Sequence, residues 1–433
     1  MLPMAVQTHP ASVGQRLLWM IGRHRPDYGA LNCPAVCELA GPLDLEALTD
    51  AVGRLVERHA ALRTTITGRG RSLVQQVHET LTLPLEREDL GTAPDPDAAL
   101  RAAVAEEVGR PLDPTTSPLR ARLWRLSPNR HVLCLTAHHL VSDAWSTGVL
   151  LRDLHALYDD RPDPPPPAWQ YTDFTAWQDT FLAGEHSRSH IDYWRRRLRG
   201  AQLAPLPPAP AVPERGPALV TARVRPAAAE GLRAVARRCG VTEFSALLAV
   251  YFLLLHTLTG RRDLTTATLF ANRSRPETRD VVGFLAGMVL LRSRQPARGS
   301  FADLVRITHT TVRGAFGHAE VPSQLLSLPE LTREPGRRPD DMVFQLVAEA
   351  PRLLPARGLS FDLLVPEGLG TRFACDLTLV PVRGGYDALL YHDRAHLADA
   401  PAAVLAGSYA ELAARAAARP DADATELATG LNW

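Results

Sequence analysis

Residues 131–137 (HVLCLTA) restrict the fold more than any other segment, because they are almost continuously apolar and run directly into two histidines. A strand that is apolar on both sides must be covered on both faces by other layers. Residues 44–59 place their apolar side chains on one helical stripe, and residues 119–126 alternate apolar residues with arginine. These patterns predict an α/β fold in which helices cover mixed sheets.

A run of four prolines predicts where this chain of 433 residues divides. Residues 161–167 (RPDPPPP) cannot form a helix, and consecutive prolines make a stiff extended spacer. A second proline-rich stretch, 204–217, predicts another surface connection. Strand and helix patterns occur on both sides of the first run. We therefore predict two lobes, residues 1–168 and 169–433.

Charge and hydropathy argue against nucleic-acid and membrane partners. Lysine plus arginine total 48 and aspartate plus glutamate total 47, so a net charge of +1 gives no global field for a polyanion. All 48 basic residues are arginine, which excludes a lysine base, a Schiff-base lysine and a P-loop lysine. The first ten residues lack the pattern of a signal peptide, and residues 244–258 are too few to span a bilayer. We expect a cytoplasmic protein.

Neither the cysteines nor the histidine pair predicts a metal site. Cys33 and Cys37 are four residues apart, which is not the spacing of a zinc or redox pair, and reduced thiols are expected. His138 and His139 lack further ligands at zinc spacing, and no G-x-S-x-G segment supplies a serine nucleophile.

The residues that can carry chemistry lie where the apolar strand ends, in residues 135–146 (LTAHHLVSDAWS). Side chains alternate along a strand, so one of His138 and His139 can face a cavity while the other anchors the turn. Imidazole titrates near neutrality and is the usual proton-transfer group. Asp143 can return toward the turn or accept a partner from elsewhere, and Ser146 can cap a following helix. From these residues alone, two structural histidines are the alternative to a catalytic base.

This segment resembles the HHxxxDG motif of the condensation domains of nonribosomal peptide synthetases. Six further segments are similar to motifs of that family, in the same order along the chain. They are residues 12–19 (SVGQRLLW, similar to SxAQxRLW), 58–64 (RHAALRT, to RHExLRT), 171–177 (YTDFTAW, to YxDFAxW, followed by YW at 193–194), 272–288 (to GRxxPE…VGFFVNT), 344–345 (FQ) and 376–379 (DLTL, to FDL).

The resemblance implies two lobes like chloramphenicol acetyltransferase, arranged in a V with the active site in a tunnel between them. It implies that His139 acts as general base or positions the nucleophile, and that His138 orients the turn. Asp143 would be structural and would pair with Arg273, because a buried carboxylate needs a partner. Since the predicted boundary puts Arg273 in the second lobe, this pair would hold the lobes together.

We expect substrate contacts at Ala144, Trp145, Ser146 and Gly287. Two of these residues depart from the family pattern, which has glycine at position 144 and asparagine at position 287. If the backbone at Ala144 required a positive φ, the methyl group would add roughly 1 kcal/mol of strain. The first motif also has Leu17 where the pattern has arginine.

The implied function is that of a free-standing condensation enzyme. It would transfer an acyl or aminoacyl group from the 4′-phosphopantetheine thioester of a carrier protein, met in trans, to a small-molecule amine or alcohol in natural-product biosynthesis. It would bind no cofactor of its own. Two alternatives stay open: a non-catalytic platform that recruits tailoring enzymes, and an acyltransferase that uses coenzyme A thioesters.

Overall fold

The computed structural model describes residues 6–24, 31–159, 162–205, 216–296, 298–326, 338–347, 353–366 and 371–431. The strands are β1 (Val6–Pro10), β2 (Asn32–Ala40), β3 (Thr64–Thr67), β4 (Val74–His78), β5 (Leu85–Asp89), β6 (Leu119–Ser127), β7 (Arg130–His138), β8 (Pro217–Val224), β9 (Asp263–Phe270), β10 (Gly287–Arg294), β11 (Met342–Leu346), β12 (Ser360–Leu364), β13 (Cys375–Val382) and β14 (Gly385–Asp393). The helices are α1 (Val13–His24), α2 (Leu45–Arg58), α3 (Pro96–Gly109), α4 (Ala144–Tyr158), α5 (Tyr171–Ala183), α6 (Glu185–Leu198), α7 (Pro226–Cys239), α8 (Glu243–Thr259), α9 (Phe301–Phe316), α10 (Asp399–Ala418) and α11 (Ala424–Leu427).

The chain forms two compact units. Unit 1 contains Met1–Glu185, Ala271–Ala286 and Ala350–Leu369, and unit 2 contains the remaining residues. This grouping differs from the division predicted at residue 168, because three later segments pack with the first part of the chain. Long-range pairing causes the difference, since β12 from the third segment bonds to β2. Local patterns such as a proline run carry no information about such pairing.

Unit 1 is built around the apolar strand. Its larger sheet has the order β12-β2-β7-β6-β5, in which only β5 and β6 run parallel, and a smaller sheet has the order β1-β4-β3. Leu133 and Leu135 of β7 face a core shared with α2 and α4, whereas Val132 and Cys134 face the core under α3. Both faces of β7 are therefore covered, as predicted.

The stripe on residues 44–59 forms α2, as predicted. Asp44 caps the helix by accepting a hydrogen bond from the backbone N–H of Ala47. At the other end, Arg58 Nε and His59 Nε2 contact Asp153 Oδ2 of α4 at 2.7 and 2.9 Å. Burial lowers the pKa of His59 although Asp153 opposes that shift, so the ring favours its neutral form. The RHAALRT segment thus joins α2 to α4.

The described residues of unit 2 form one sheet, with the order β10-β9-β11-β13-β14-β8. Its apolar core includes α8, whose Tyr251 ring stacks on Phe344 of β11 at 5.2 Å between centroids. In the part of the chain that the structure describes, no single helix is long and apolar enough to cross a membrane. Helices α7 and α8 reach that length and composition only as a pair, bent by 110°.

The remaining predictions concern the proline stretches and the cysteines. Residues 162–167 have no regular secondary structure, whereas Arg161 and most of the second stretch, residues 206–215, lie outside the described residues. All five cysteines lie inside the described ranges and are free thiols. Among the residues that the structure describes, no three His, Cys, Asp or Glu side chains are grouped to hold a metal ion.

Candidate functional site

Strand β7 ends at His138, and the motif that follows forms a tight turn into α4. The backbone N–H of His138 bonds to Pro118 O at 2.8 Å and that of His139 to Leu31 O at 2.7 Å. Asp143 is the N-cap of α4, because its Oδ1 accepts a hydrogen bond from the backbone N–H of Ser146 at 2.9 Å. The cap is therefore Asp143, whereas the sequence had suggested Ser146. An N-cap precedes the first helical residue, and the helix begins at Ala144.

His138 is buried inside the turn. Its Nδ1 accepts a hydrogen bond from the backbone N–H of Leu140 at 3.0 Å, so this nitrogen carries a lone pair. Burial, together with the neighbouring His139, lowers the pKa of His138 to about 3. The ring is therefore neutral near pH 7 and bonds to the backbone of the turn, and its orienting role stays a prediction.

His139 is only half-buried and is held from two directions. Its Nδ1 lies 2.7 Å from the carbonyl oxygen of Ser142. A carbonyl only accepts hydrogen bonds, so Nδ1 carries the proton and the neutral ring keeps its lone pair on Nε2. The ring also meets Phe284 edge to face, with 4.9 Å between centroids and an interplanar angle of 74°.

Asp143 and Arg273 form a bidentate ion pair, with Arg273 Nη1 2.6 Å from Oδ2 and Nη2 3.0 Å from Oδ1. Both side chains are almost inaccessible, at 1% and 2% exposure. Backbone N–H groups of Leu285 and Ala286 also donate to Oδ2, at 3.1 and 3.0 Å. Burial alone would raise the pKa of Asp143, but Arg273 and the hydrogen bonds from the backbone N–H and hydroxyl of Ser146 lower it below its ordinary value.

This pair corrects one expectation about the lobes. Asp143 and Arg273 both belong to unit 1, because the segment Ala271–Ala286 returns to it. The pair therefore anchors that returning segment to the histidine turn and does not join the two units. Its guanidinium is held further by the carbonyl oxygens of Ala271 and Val281, at 2.7 and 3.2 Å.

The four residues predicted to contact a substrate lie in different parts of the structure. Ala144 is exposed at the start of α4, and Trp145 is 44% exposed with its Nε1 donating to Arg279 O at 2.9 Å. Ser146 is fully buried and its hydroxyl donates to Asp143 Oδ1, so in this structure it supports the carboxylate, and its contact with a substrate stays a prediction. Gly287 begins β10 in unit 2.

Ala144 carries no backbone strain. Among the described residues, the non-glycine positions with positive φ are Asn272, Arg357 and Arg383. A helical N1 residue needs an ordinary negative φ, which alanine adopts freely. The backbone strain that a positive φ would have caused at Ala144 is therefore absent.

Sequence reasoning missed a polar chain that links three of the motifs. The Ser12 hydroxyl lies 2.8 Å from Tyr171 Oη, which donates to Phe284 O at 2.9 Å. Gln15 Nε2 donates to Leu140 O, inside the histidine turn, at 2.9 Å. Residues from the SVGQRLLW, YTDFTAW and VGF segments therefore surround the turn. Their similarity to family motifs was the available signal, but periodicity does not show which of them meet.

The chain is similar to known proteins over most of its length. The family model described as Condensation domain matches residues 6–347. Phosphinothricin tripeptide synthetase PhsC of Streptomyces viridochromogenes is 37% identical over 331 residues, which are 73% of this chain and 30% of that protein. A linear gramicidin synthase of Brevibacillus parabrevis is 30% identical over 95% of this chain and 6% of its own length. This chain thus spans less than a third of either relative.

A solved structure matches almost the whole chain. SgcC5 from Streptomyces globisporus is 27% identical, with a TM-score of 0.83 over 95% of this chain and 99% of that one. The mixed α/β fold, the histidine turn with its buried ion pair, and the matched family model lead to one assignment. The chain belongs to the condensation-domain family of nonribosomal peptide synthesis.

Proposed function

We propose that this protein transfers an acyl or aminoacyl group from a carrier-protein 4′-phosphopantetheine thioester to an amine or hydroxyl group. The observation that carries the proposal is the contact of His139 Nδ1 with Ser142 O at 2.7 Å, because it assigns the proton of the neutral ring to Nδ1 and the lone pair to Nε2. The thioester belongs to the carrier protein and is a substrate, not a resident cofactor.

The reaction needs alignment and one acceptor for a proton. The nucleophile's nitrogen or oxygen attacks the thioester carbonyl carbon while its proton moves to His139 Nε2. The C–S bond then breaks, and the released thiolate takes the proton back from Nε2 and leaves as a thiol. A general base contributes about 10²–10⁴-fold, and alignment contributes on the order of 7–11 kcal/mol at best.

Asp143 has a positioning role in this proposal. Arg273, Ser146 and two backbone N–H groups already occupy both carboxylate oxygens. A carboxylate so fully hydrogen-bonded, with a lowered pKa, is a poor proton acceptor. It instead fixes the start of α4 and therefore the turn that carries His139.

Both nucleophile classes belong in the test. PhsC is a tripeptide synthetase, which favours amines as the nucleophile. SgcC5 was solved in complex with (R)-(-)-1-(2-naphthyl)-1,2-ethanediol, a diol, which favours including alcohols. We propose that the carrier protein is supplied in trans and that the reaction takes place in the cytoplasm.

The test is intact-protein mass spectrometry of an acyl-loaded carrier protein mixed with the enzyme and candidate amines and alcohols. We expect loss of the acyl group from the carrier with matching product, and at least 10²-fold slower transfer by His139→Ala. His24→Ala, which changes an exposed histidine of unit 1, is the matched control. Equal rates for the wild type and His139→Ala would contradict the proposed chemistry.

Two further outcomes would point to the alternatives. Faster transfer from acyl-coenzyme A than from the acyl-carrier would indicate a coenzyme A-dependent acyltransferase. If no donor were turned over and a tailoring oxygenase bound the protein instead, the platform function would replace the proposal.

A further inference from the structure

Gly14 in α1 is in unusually close contact with Phe284. A Cβ added at Gly14 would lie 2.7 Å from Cε1 and 2.8 Å from Cδ1 of the Phe284 ring. Carbon atoms pack at about 3.5–4.0 Å, so a methyl group cannot occupy this position unless the ring moves. The SxAQxRLW pattern has alanine here, and this chain therefore lacks a methyl group at the point that the ring occupies.

The backbone of Phe284 has little freedom to adjust. Tyr171 Oη donates to its carbonyl oxygen at 2.9 Å, and Asp143 accepts the N–H groups of the next two residues. On the other side, a Cβ on Gly283 would lie 2.1 Å from Tyr171 Cδ2, so these two residues already touch. A displacement at Phe284 must therefore be taken up mainly by its ring.

That ring is also the neighbour of His139. The two centroids are 4.9 Å apart, a normal distance for an edge-to-face pair, and Phe284 is only 7% exposed. Ser142 O contacts the imidazole at Nδ1, and the Phe284 ring meets the same imidazole edge to face.

We propose that Phe284 is a positioning residue for His139 and that Gly14 makes this position possible. The absent methyl group leaves room for the Phe284 ring to pack beside the imidazole. This contact keeps the imidazole proton on Nδ1 and the lone pair on Nε2. The positioning of the imidazole by Phe284 depends only on these contacts, whereas the effect of that positioning on catalysis rests on the function proposed above.

Nuclear magnetic resonance tests the geometric part without a substrate. In protein labelled with ¹⁵N-histidine, the His139 signals are assigned by their loss in His139→Gln. We expect wild-type protein to show the Nδ1-protonated tautomer and Gly14→Ala to show both tautomers. The control is Gly53→Ala in α2, because an added Cβ there meets nothing within 4 Å. Identical His139 spectra for the wild type and Gly14→Ala would overturn the proposal.

Kinetics test the catalytic part with a double-mutant cycle. Because small misplacements of a reacting group can cost on the order of 10²-fold, we expect Gly14→Ala to lower kcat by about 10-fold or more with little change in KM. Phe284→Leu removes the ring atoms that overlap with the added methyl group. The double variant should therefore be no slower than Phe284→Leu alone, and strict additivity of the two effects would overturn the positioning role.

The two proposals can fail separately. If transfer did not depend on His139 but the tautomer changed in Gly14→Ala, the proposed function would fail and the positioning would stand. If transfer depended on His139 but Gly14→Ala left both kcat and the spectrum unchanged, only the positioning would fail.

Discussion

Asp143 in unit 1 and Asp376 in unit 2 are both buried carboxyl groups in family-like motifs, but they are stabilised in opposite ways. Asp143 has an arginine and several N–H donors, and its pKa is lowered. Asp376 accepts hydrogen bonds from Gln345 Nε2 at 2.7 Å and Thr378 Oγ1 at 2.9 Å, which are neutral groups. Burial therefore raises the pKa of Asp376 to about 6, although these bonds and Arg372 oppose the shift.

The comparison shows that burial alone does not decide the charge of a carboxyl group. A bidentate arginine compensates the loss of hydration and keeps Asp143 ionised, whereas two neutral donors compensate it only in part. The two sites therefore change the stability of the protein with pH in opposite directions.

The largest expected loss of stability follows from a change at the charged site, the pair of Asp143 and Arg273. Arg273→Ala would leave Asp143 buried without its cation, and we expect a loss of about 3–5 kcal/mol in the free energy of unfolding at pH 7. Urea unfolding measures it, with Arg306→Ala, an exposed arginine of α9, as control. A loss below about 1 kcal/mol, the size expected for surface pairs, would show that Asp143 does not depend on its cation.

The contribution of the neutral site, Asp376, to stability should change with pH in the opposite direction to that of Asp143. With a folded pKa of about 6 and an unfolded pKa near 3.9, Asp376 binds more protons in the folded protein, so its contribution to stability falls as pH rises from about 4 to 6. Asp376→Asn removes this loss. We expect the variant to be more stable than wild type by roughly 1–3 kcal/mol at pH 7 and nearly equal to it at pH 4.

Unfolding curves recorded from pH 4 to 8 test this prediction. If Asp376→Asn were destabilising at pH 7 by as much as at pH 4, Asp376 would be no source of pH dependence. The two carboxyl groups would then differ only in their partners.

The last prediction concerns one of the two hydrogen-bond donors at the neutral site. Thr378→Val removes one of the two donors to Asp376 while it keeps the shape of the side chain. Hydrogen bonds to a charged acceptor contribute more than those between neutral groups, so we expect a loss of about 1.5–3 kcal/mol at pH 7.5 and about 1 kcal/mol at pH 4. Thermal unfolding at the two pH values measures the difference, and a pH-independent loss would contradict it.

Local patterns predicted the local features of this molecule. The apolar run gave β7, and the helical stripe with its preceding Asp44 gave α2, because both patterns depend on residues close in sequence. The position of the cap at Asp143 was missed, since Ser and Asp are both good caps and only the start of the helix distinguishes them.

Local patterns did not predict the contacts between residues that are distant in sequence. The pairing of Asp143 with Arg273, 130 residues away, was expected only because the motifs resemble a family. The contacts of Phe284 with Gly14 and His139, and the pairing of β12 with β2, depend on how the chain returns to unit 1. No periodic pattern encodes that return, which also explains why the predicted division at residue 168 differs from the compact units.

The return of the chain has a consequence for folding during synthesis. When the ribosome has made residues 1–185, the histidine turn exists, but its arginine is still about 90 residues from being translated and the outer edge of β2 still lacks β12. A nascent chain at this stage exposes an open strand edge and an uncompensated carboxylate, both of which favour aggregation or local unfolding. The centre proposed for catalysis can therefore mature only after much of unit 2 has left the ribosome.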